Sequence, residues 1–204
     1  MIVIVDYGMG NLGSMANMLR KVGATAAVSS DAAAIARAEK LVIPGVGAFD
    51  AGMRALAERK LVPLLQERAA AGTPTLGVCL GMQLFARGSE EGQLPGLGWI
   101  DAHARRFRAN SGGMQLKVPH MGWNTVRPLR EHPLFAGMPD DMRFYFVHSY
   151  HVVCDDPYSA LAAAEYGGDF VAAVARDNVM GVQFHPEKSH RFGMQLLRNF
   201  AELC

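Results

Sequence analysis

A cysteine held between two glycines, Gly77-Val78-Cys79-Leu80-Gly81, stands where an apolar run ends and a helical pattern begins near Met82. This is the form of a nucleophile elbow: the strained backbone of a strand-to-helix turn, and a substrate approaching it, leave no room for Cβ groups two residues to either side. A helix N-terminus also favours thiolate over thiol, because its unpaired N–H groups carry partial positive charge. A second segment could supply the base. In Gly181-Val182-Gln183-Phe184-His185-Pro186-Glu187 a histidine follows an apolar strand, and a carboxylate stands two residues beyond it, on the same side of an extended chain. A carboxylate on one ring nitrogen fixes the tautomer and raises the basicity of the other. Cys79, His185 and Glu187 therefore predict nucleophilic acyl transfer, with His185 as base and Glu187 orienting it. The developing oxyanion needs donors. Leu80 N–H is one by the geometry of the elbow, and Val46 or Gly47 N–H, in Pro44-Gly45-Val46-Gly47, is the candidate second. Each piece has a plainer reading, as a small buried thiol, a surface His-Pro turn or a helix-entry turn; the chemistry rests on their conjunction.

His148 and His151 suggest a metal by their spacing, yet no third ligand is evident, and in a strand residues three apart point to opposite faces. No metal site is predicted. The three cysteines, Cys79, Cys154 and Cys204, are odd in number and widely separated, so any chemistry they do is as single thiols. No role is argued for Cys154 or Cys204.

The elements that must position these residues read as a βα repeat. Ile2–Val5, Thr25–Val28, Leu41–Ile43 and Thr75–Val78 are continuously apolar strand candidates, as strands covered on both faces must be. Between them, Met15, Met18, Leu19 and Val22, then Phe49, Met53 and Leu56, recur at helical spacing, and a further helix runs through Leu64, Leu65 and Arg68 to Gly72-Thr73-Pro74. The expected fold is α/β: an open, mostly parallel, doubly wound sheet with helices on both faces. From about Trp99 to Tyr150 the texture becomes aromatic, basic and proline-broken, which predicts an antiparallel extension of the same sheet. Phe170–Ala175 and Val179–Phe184 flank Arg176-Asp177-Asn178 as a hairpin, and a last helix carries Phe192, Leu196, Leu197 and Phe200 on one face.

Composition bounds the rest. The 204 residues suit one domain over 1–204. With 20 Lys plus Arg against 19 Asp plus Glu, the chain lacks the basic excess that phosphate backbones or anionic lipid would select. No apolar run approaches a membrane span, and Met1–Val5 has no basic flank of a signal peptide, so a cytoplasmic location is expected, with no nucleic-acid or membrane partner.

The turn Gly77–Gln83, the loop Pro44–Gly47 and the segment Val182–Glu187 together resemble the class I, triad-type glutamine amidotransferases. Asp6–Leu12, Lys117–Asn124 and Phe144–Tyr150 look like the corresponding segments of the glutaminase subunits of imidazole glycerol phosphate synthases, and the likeness spans nearly the whole chain. The resemblance implies that Cys79 attacks the carboxamide of glutamine, with Val46 and Leu80 N–H groups forming the oxyanion hole. It further implies that Gly47, Gln83, His148 and Ser149 hold the substrate and that no cofactor is used. The implied partner is a (β/α)8-barrel cyclase subunit in a heterodimer, met by Tyr7, Asn11, Pro119, Met121, Trp123 and Lys188. Three alternatives stay open: a glutaminase of another pathway on the same fold, a thiol hydrolase acting on other acyl groups, and a regulatory module that has lost catalysis.

Overall fold

The computed structural model describes residues 1–108, 110–111 and 114–204. The first half alternates strand and helix as its periodicity demands: β1 (Ile2–Val5), α1 (Leu12–Lys21), β2 (Ala26–Ser29), α2 (Ala32–Ala36), β3 (Lys40–Gly45), α3 (Phe49–Glu58), α4 (Leu61–Ala70), β4 (Thr75–Cys79) and α5 (Leu80–Leu84). The strands β5 (Gly88–Ser89), β6 (Ala102–Arg106), β7 (Asn110–Ser111), β8 (Met114–Gln115), β9 (His120–Thr125) and β10 (Arg127–Pro128) follow. The chain then runs through β11 (Arg143–His148), β12 (Tyr150–Cys154), β13 (Ala160–Glu165), β14 (Asp169–Arg176), β15 (Val179–Val182) and α6 (His190–Leu203).

The main sheet has the order β2-β1-β3-β4-β15-β14-β12-β6-β5, with β13 on β14 and β10 on β13. Strands β2, β1, β3, β4 and β15 are parallel neighbours, while β14, β12 and β6 add antiparallel pairs. Alternate residues of each parallel strand enter opposite cores. Ile2 and Ile4 pack with α1 and α6 through Met15, Leu19, Leu196 and Phe200, whereas Val3 and Val5 pack with Ile35, Phe49, Leu56 and Leu65 on the other face. The whole predicted face of α6, Phe192, Leu196, Leu197 and Phe200, is buried, and each such side chain contributes about 1.5–3 kcal/mol when fully removed from water.

Three differences from expectation bear on the site. β3 runs on through Pro44 and Gly45 because its ladder to β4 continues to Gly45 opposite Cys79, and the proline is tolerated because the ladder to β1 has ended at Val42. α5 begins at Leu80, two residues before Met82, so the turn after β4 is tighter than expected. The antiparallel extension is only partly in the main sheet: β12 and β6 join it, but β9 and β11 pair with each other as a separate two-stranded ribbon, Trp123 opposite Tyr145. The helices are short: among the described residues, no helix is long and apolar enough to cross a membrane.

Candidate active site

β4 ends on Cys79, whose backbone lies at φ 54°, ψ −110°, a conformation that side-chain-bearing residues adopt only under the constraint of their surroundings. The flanking glycines are demanded by the fold around the turn. A Cβ on Gly81 would stand 1.8 Å from the Ile43 carbonyl oxygen, and one on Gly77 would stand 2.5 Å from the Phe85 ring. The crowding anticipated from an approaching substrate is thus already supplied by β3 and α5. The thiol is nearly buried, with its Sγ 4.0 Å from the Val147 carbonyl oxygen and 3.7 Å from Gln183 Nε2.

His185 reaches this turn from the far end of the chain. β14 and β15 form the expected hairpin, but β15 also lies parallel to β4, with Val182 opposite Val78, so the residue runs after both strands emerge side by side. The backbone of His185 is held from two directions: its N–H donates to the Tyr145 carbonyl at 2.9 Å, and its carbonyl accepts from Ser189 Oγ at 2.6 Å. The imidazole Nδ1 donates to Glu187 Oε1 at 2.8 Å, and both side chains are withdrawn from water, at 2% and 4% exposure. That bond leaves Nε2 as the working nitrogen. It is buried and without a hydrogen-bond partner among the described residues, as are Glu187 Oε2 and the Tyr7 hydroxyl. Burial opposes the imidazolium, but the Cys79 sulfur and the Glu187 carboxylate outweigh it and lift His185 to about 9. An imidazole so placed can take a proton from the sulfur and hold it at neutral pH.

Beside the thiol lies a cavity of about 240 Å³ lined by Val46, Gly47, Leu80, Gln83, Pro119, Val147, His148, Ser149 and Tyr150, together with Glu91. This is small enough to suit a single amino acid. A larger open groove of about 1040 Å³, between Thr125 and Asp140, shares no residue with it. Val46 is half-exposed, and Gly47 sits at φ 134° with Met9 packed where a Cβ would go. Every residue expected to bind substrate or oxyanion therefore lines one space, though they come from three separate stretches of chain.

Two of these side chains are tied into the wall. His148 Nδ1 donates to the Tyr150 carbonyl at 2.8 Å, so its Nε2 must accept, and His120 Nδ1 donates to it at 3.0 Å. Burial keeps both rings neutral, His148 pushed down to about 3 and His120 to about 4. Gln83 Nε2 is likewise spent, donating to Tyr150 O at 3.0 Å and to Gln183 Oε1 at 2.9 Å.

Of the six positions expected at a partner contact, one needs correction. Tyr7 is wholly buried, its hydroxyl 2.6 Å from where a Cβ on Gly45 would lie, so it presents no surface. Burial, and then the Cys79 charge, hold its phenol well above the usual tyrosine range. Asn11 is exposed but occupied as the N-cap of α1, accepting from Ser14 N at 3.2 Å. Pro119, Met121, Trp123 and Lys188 are exposed, and Trp123 stacks on His190 with ring centroids 5.4 Å apart. Sequence reasoning missed Gln183 and Glu91. Gln183 could have been flagged as the lone polar residue in the run Val179–Phe184, since a polar group inside an apolar strand needs a partner. Glu91, which accepts from Phe49 N at 2.8 Å beside the Val46–Gly47 loop, left no local signal.

Comparison with known proteins places this geometry in context. Residues 3–203 match the family described as Glutamine amidotransferase class-I. The chain is 55% identical over 204 residues, the full length of both, to imidazole glycerol phosphate synthase subunit HisH 2 of Pseudomonas aeruginosa. It is 48% identical over 201 residues, 98% of each chain, to the subunit of the same name from Methanococcus maripaludis. Among solved structures, PurLQS from Thermotoga maritima superposes with a TM-score of 0.73 at 16% identity, covering 98% of this chain and 96% of that one, a likeness of fold.

Proposed function

The chain belongs to the class I glutamine amidotransferase family, and from that premise we propose that it is the glutaminase subunit of an imidazole glycerol phosphate synthase in histidine biosynthesis. Cys79 Sγ attacks the carboxamide carbon of glutamine as the thiol proton passes to His185 Nε2. The tetrahedral oxyanion is held by the N–H groups of Leu80 and Val46; one such donor is typically worth ~10² to 10³ in rate. Collapse breaks the C–N bond, His185 returns the proton to the departing amine, and ammonia leaves a glutamyl thioester. Water, deprotonated by the same nitrogen, then displaces the sulfur and frees glutamate. Glu187 keeps the ring in the tautomer that presents Nε2 to sulfur. Gly47, Gln83, His148 and Ser149 shape the cavity around the amino-acid end of the substrate.

Ammonia becomes ammonium in neutral water and loses its nucleophilicity, so it must be passed on sheltered. The receiving partner is a (β/α)8-barrel cyclase subunit that makes imidazole glycerol phosphate and aminoimidazole carboxamide ribotide. Met121, Trp123, Pro119, Lys188 and the exposed Asn11 form the contact. The work is done in the cytoplasm, by a single domain, without cofactor or nucleic acid. The observation that carries this reading is the emergence of Cys79 and the His185–Glu187 pair from adjacent parallel strands, with 2.8 Å within that pair, beside a cavity sized for one amino acid.

Glutamate release in the presence of the cyclase subunit and its nucleotide tests it. The wild type is expected to turn over, and Cys79→Ala to lose at least about a thousandfold with its fold intact. Turnover by Cys79→Ala, or none by the wild type with partner, would overturn the proposal.

A further inference from the structure

The side chain of Gln183 is entirely buried between β15 and His185, a costly place for a primary amide unless every polar atom is used. Its orientation follows from one backbone carbonyl. Tyr150 O can only accept, so the Gln83 atom 3.0 Å from it is nitrogen. The same nitrogen lies 2.9 Å from the Gln183 amide, which must therefore turn its oxygen toward Gln83. The remaining end of Gln183, its NH₂ group, then faces Cys79 Sγ at 3.7 Å. Had the chain of amides run the other way, a carbonyl oxygen would face the sulfur and oppose its ionisation.

We propose that Gln183 is a further catalytic residue of this site, whose side-chain N–H donates to Cys79 Sγ and stabilises the thiolate formed when the thiol proton moves to His185 Nε2. This rests on the glutaminase reading for its purpose but not for its geometry. The groups around the sulfur then have distinct tasks. His185 receives the proton, and Gln183 holds the charge left behind. Gln83 and the Tyr150 carbonyl act through Gln183 as positioning groups. Because an N–H donated to a charged group is worth more than one donated to a neutral one, the interaction acts on thiolate in preference to thiol.

The experiment is the pH dependence of alkylation by iodoacetamide, a carboxamide electrophile that reads thiolate directly. Cys154 and Cys204 do not interfere in the neutral range: burial and nearby aspartates push the first up to about 12, and burial pushes the second up to about 11. In Gln183→Met, which keeps the length and apolar packing but removes the donor, the Cys79 midpoint is expected to rise by about one pH unit. Alkylation below both midpoints should then slow about tenfold. An unmoved midpoint overturns the proposal. Should that variant fail to fold, the wild type decides: the Gln183 side-chain amide protons should shift in NMR with the Cys79 titration, and stay flat in Cys79→Ala. No shift in the wild type overturns the proposal equally. A wild type that alkylates as expected but releases no glutamate with partner would sink the glutaminase reading alone; normal release with an unmoved midpoint would sink only the role of Gln183.

Discussion

Replacing Glu187 with glutamine removes one buried negative charge while keeping an oxygen that can still accept from His185 Nδ1. In the wild type the imidazolium is carried from the usual 6.5 to about 9 despite burial, with the Cys79 sulfur and Glu187 as its two sources of support. Glu187 Oε1 is only 2.8 Å away and 4% exposed, so solvent screens it little. Losing its charge is expected to lower the His185 midpoint by at least about one pH unit, a tenfold change in the protonation ratio at fixed pH. A folded-state value raised above the unfolded one means that the native chain binds the extra proton, so the stabilisation is complete below about 6.5 and is lost as pH rises through about 9. NMR titration of the His185 ring, and urea unfolding at several pH values between 6 and 9.5, should both register this. The wild type should lose stability across that window, and Glu187→Gln should lose less. An unchanged ring midpoint in the variant, or parallel stability curves, would refute the assignment of Glu187 as the charge that supports His185.

Four further outcomes are expected. Gly81→Ala forces a Cβ to within 1.8 Å of the Ile43 carbonyl oxygen, so the elbow must move; thermal unfolding should show a loss of about 1–3 kcal/mol or more, and glutaminase turnover should fall with it. Phe184→Ala empties a wholly buried site stacked 3.9 Å from Phe144, and urea denaturation should read about 3–5 kcal/mol. Lys40 reaches the carbonyl oxygens of Phe200, Ala201 and Cys204 at the end of α6; Lys40→Met should cost about 1 kcal/mol and speed hydrogen exchange in that last turn first. Trp123→Ala, at an exposed ring stacked on His190, should leave the melting temperature nearly unchanged and weaken capture of the cyclase subunit at least tenfold; undiminished capture would remove Trp123 from the contact.

What the sequence determined by itself was local. Strand and helix periods, the glycine-flanked Cys79 and the His185-Pro186-Glu187 spacing depend on neighbours within a few residues, and they were legible because backbone sterics and amphipathic burial act over that range. Element ends were less so: β3 outlasts its pattern through Pro44 because its pairing with β4 continues to Gly45 opposite Cys79, which no local rule anticipates. Whether the cysteine and the histidine meet was decided by the sheet order, which lays β15 between β4 and β14 and thereby brings together residues 79 and 185. Tyr7 has the composition of a surface loop residue but is buried by Gly45 and the turn above it. Gln183 faces the sulfur only because Tyr150, from another strand, turns its carbonyl toward Gln83. Periodicity states which side of an element is apolar; only the packed chain states what stands opposite, because a hydrogen bond or a charge acts over a few ångströms of space whatever the distance along the sequence.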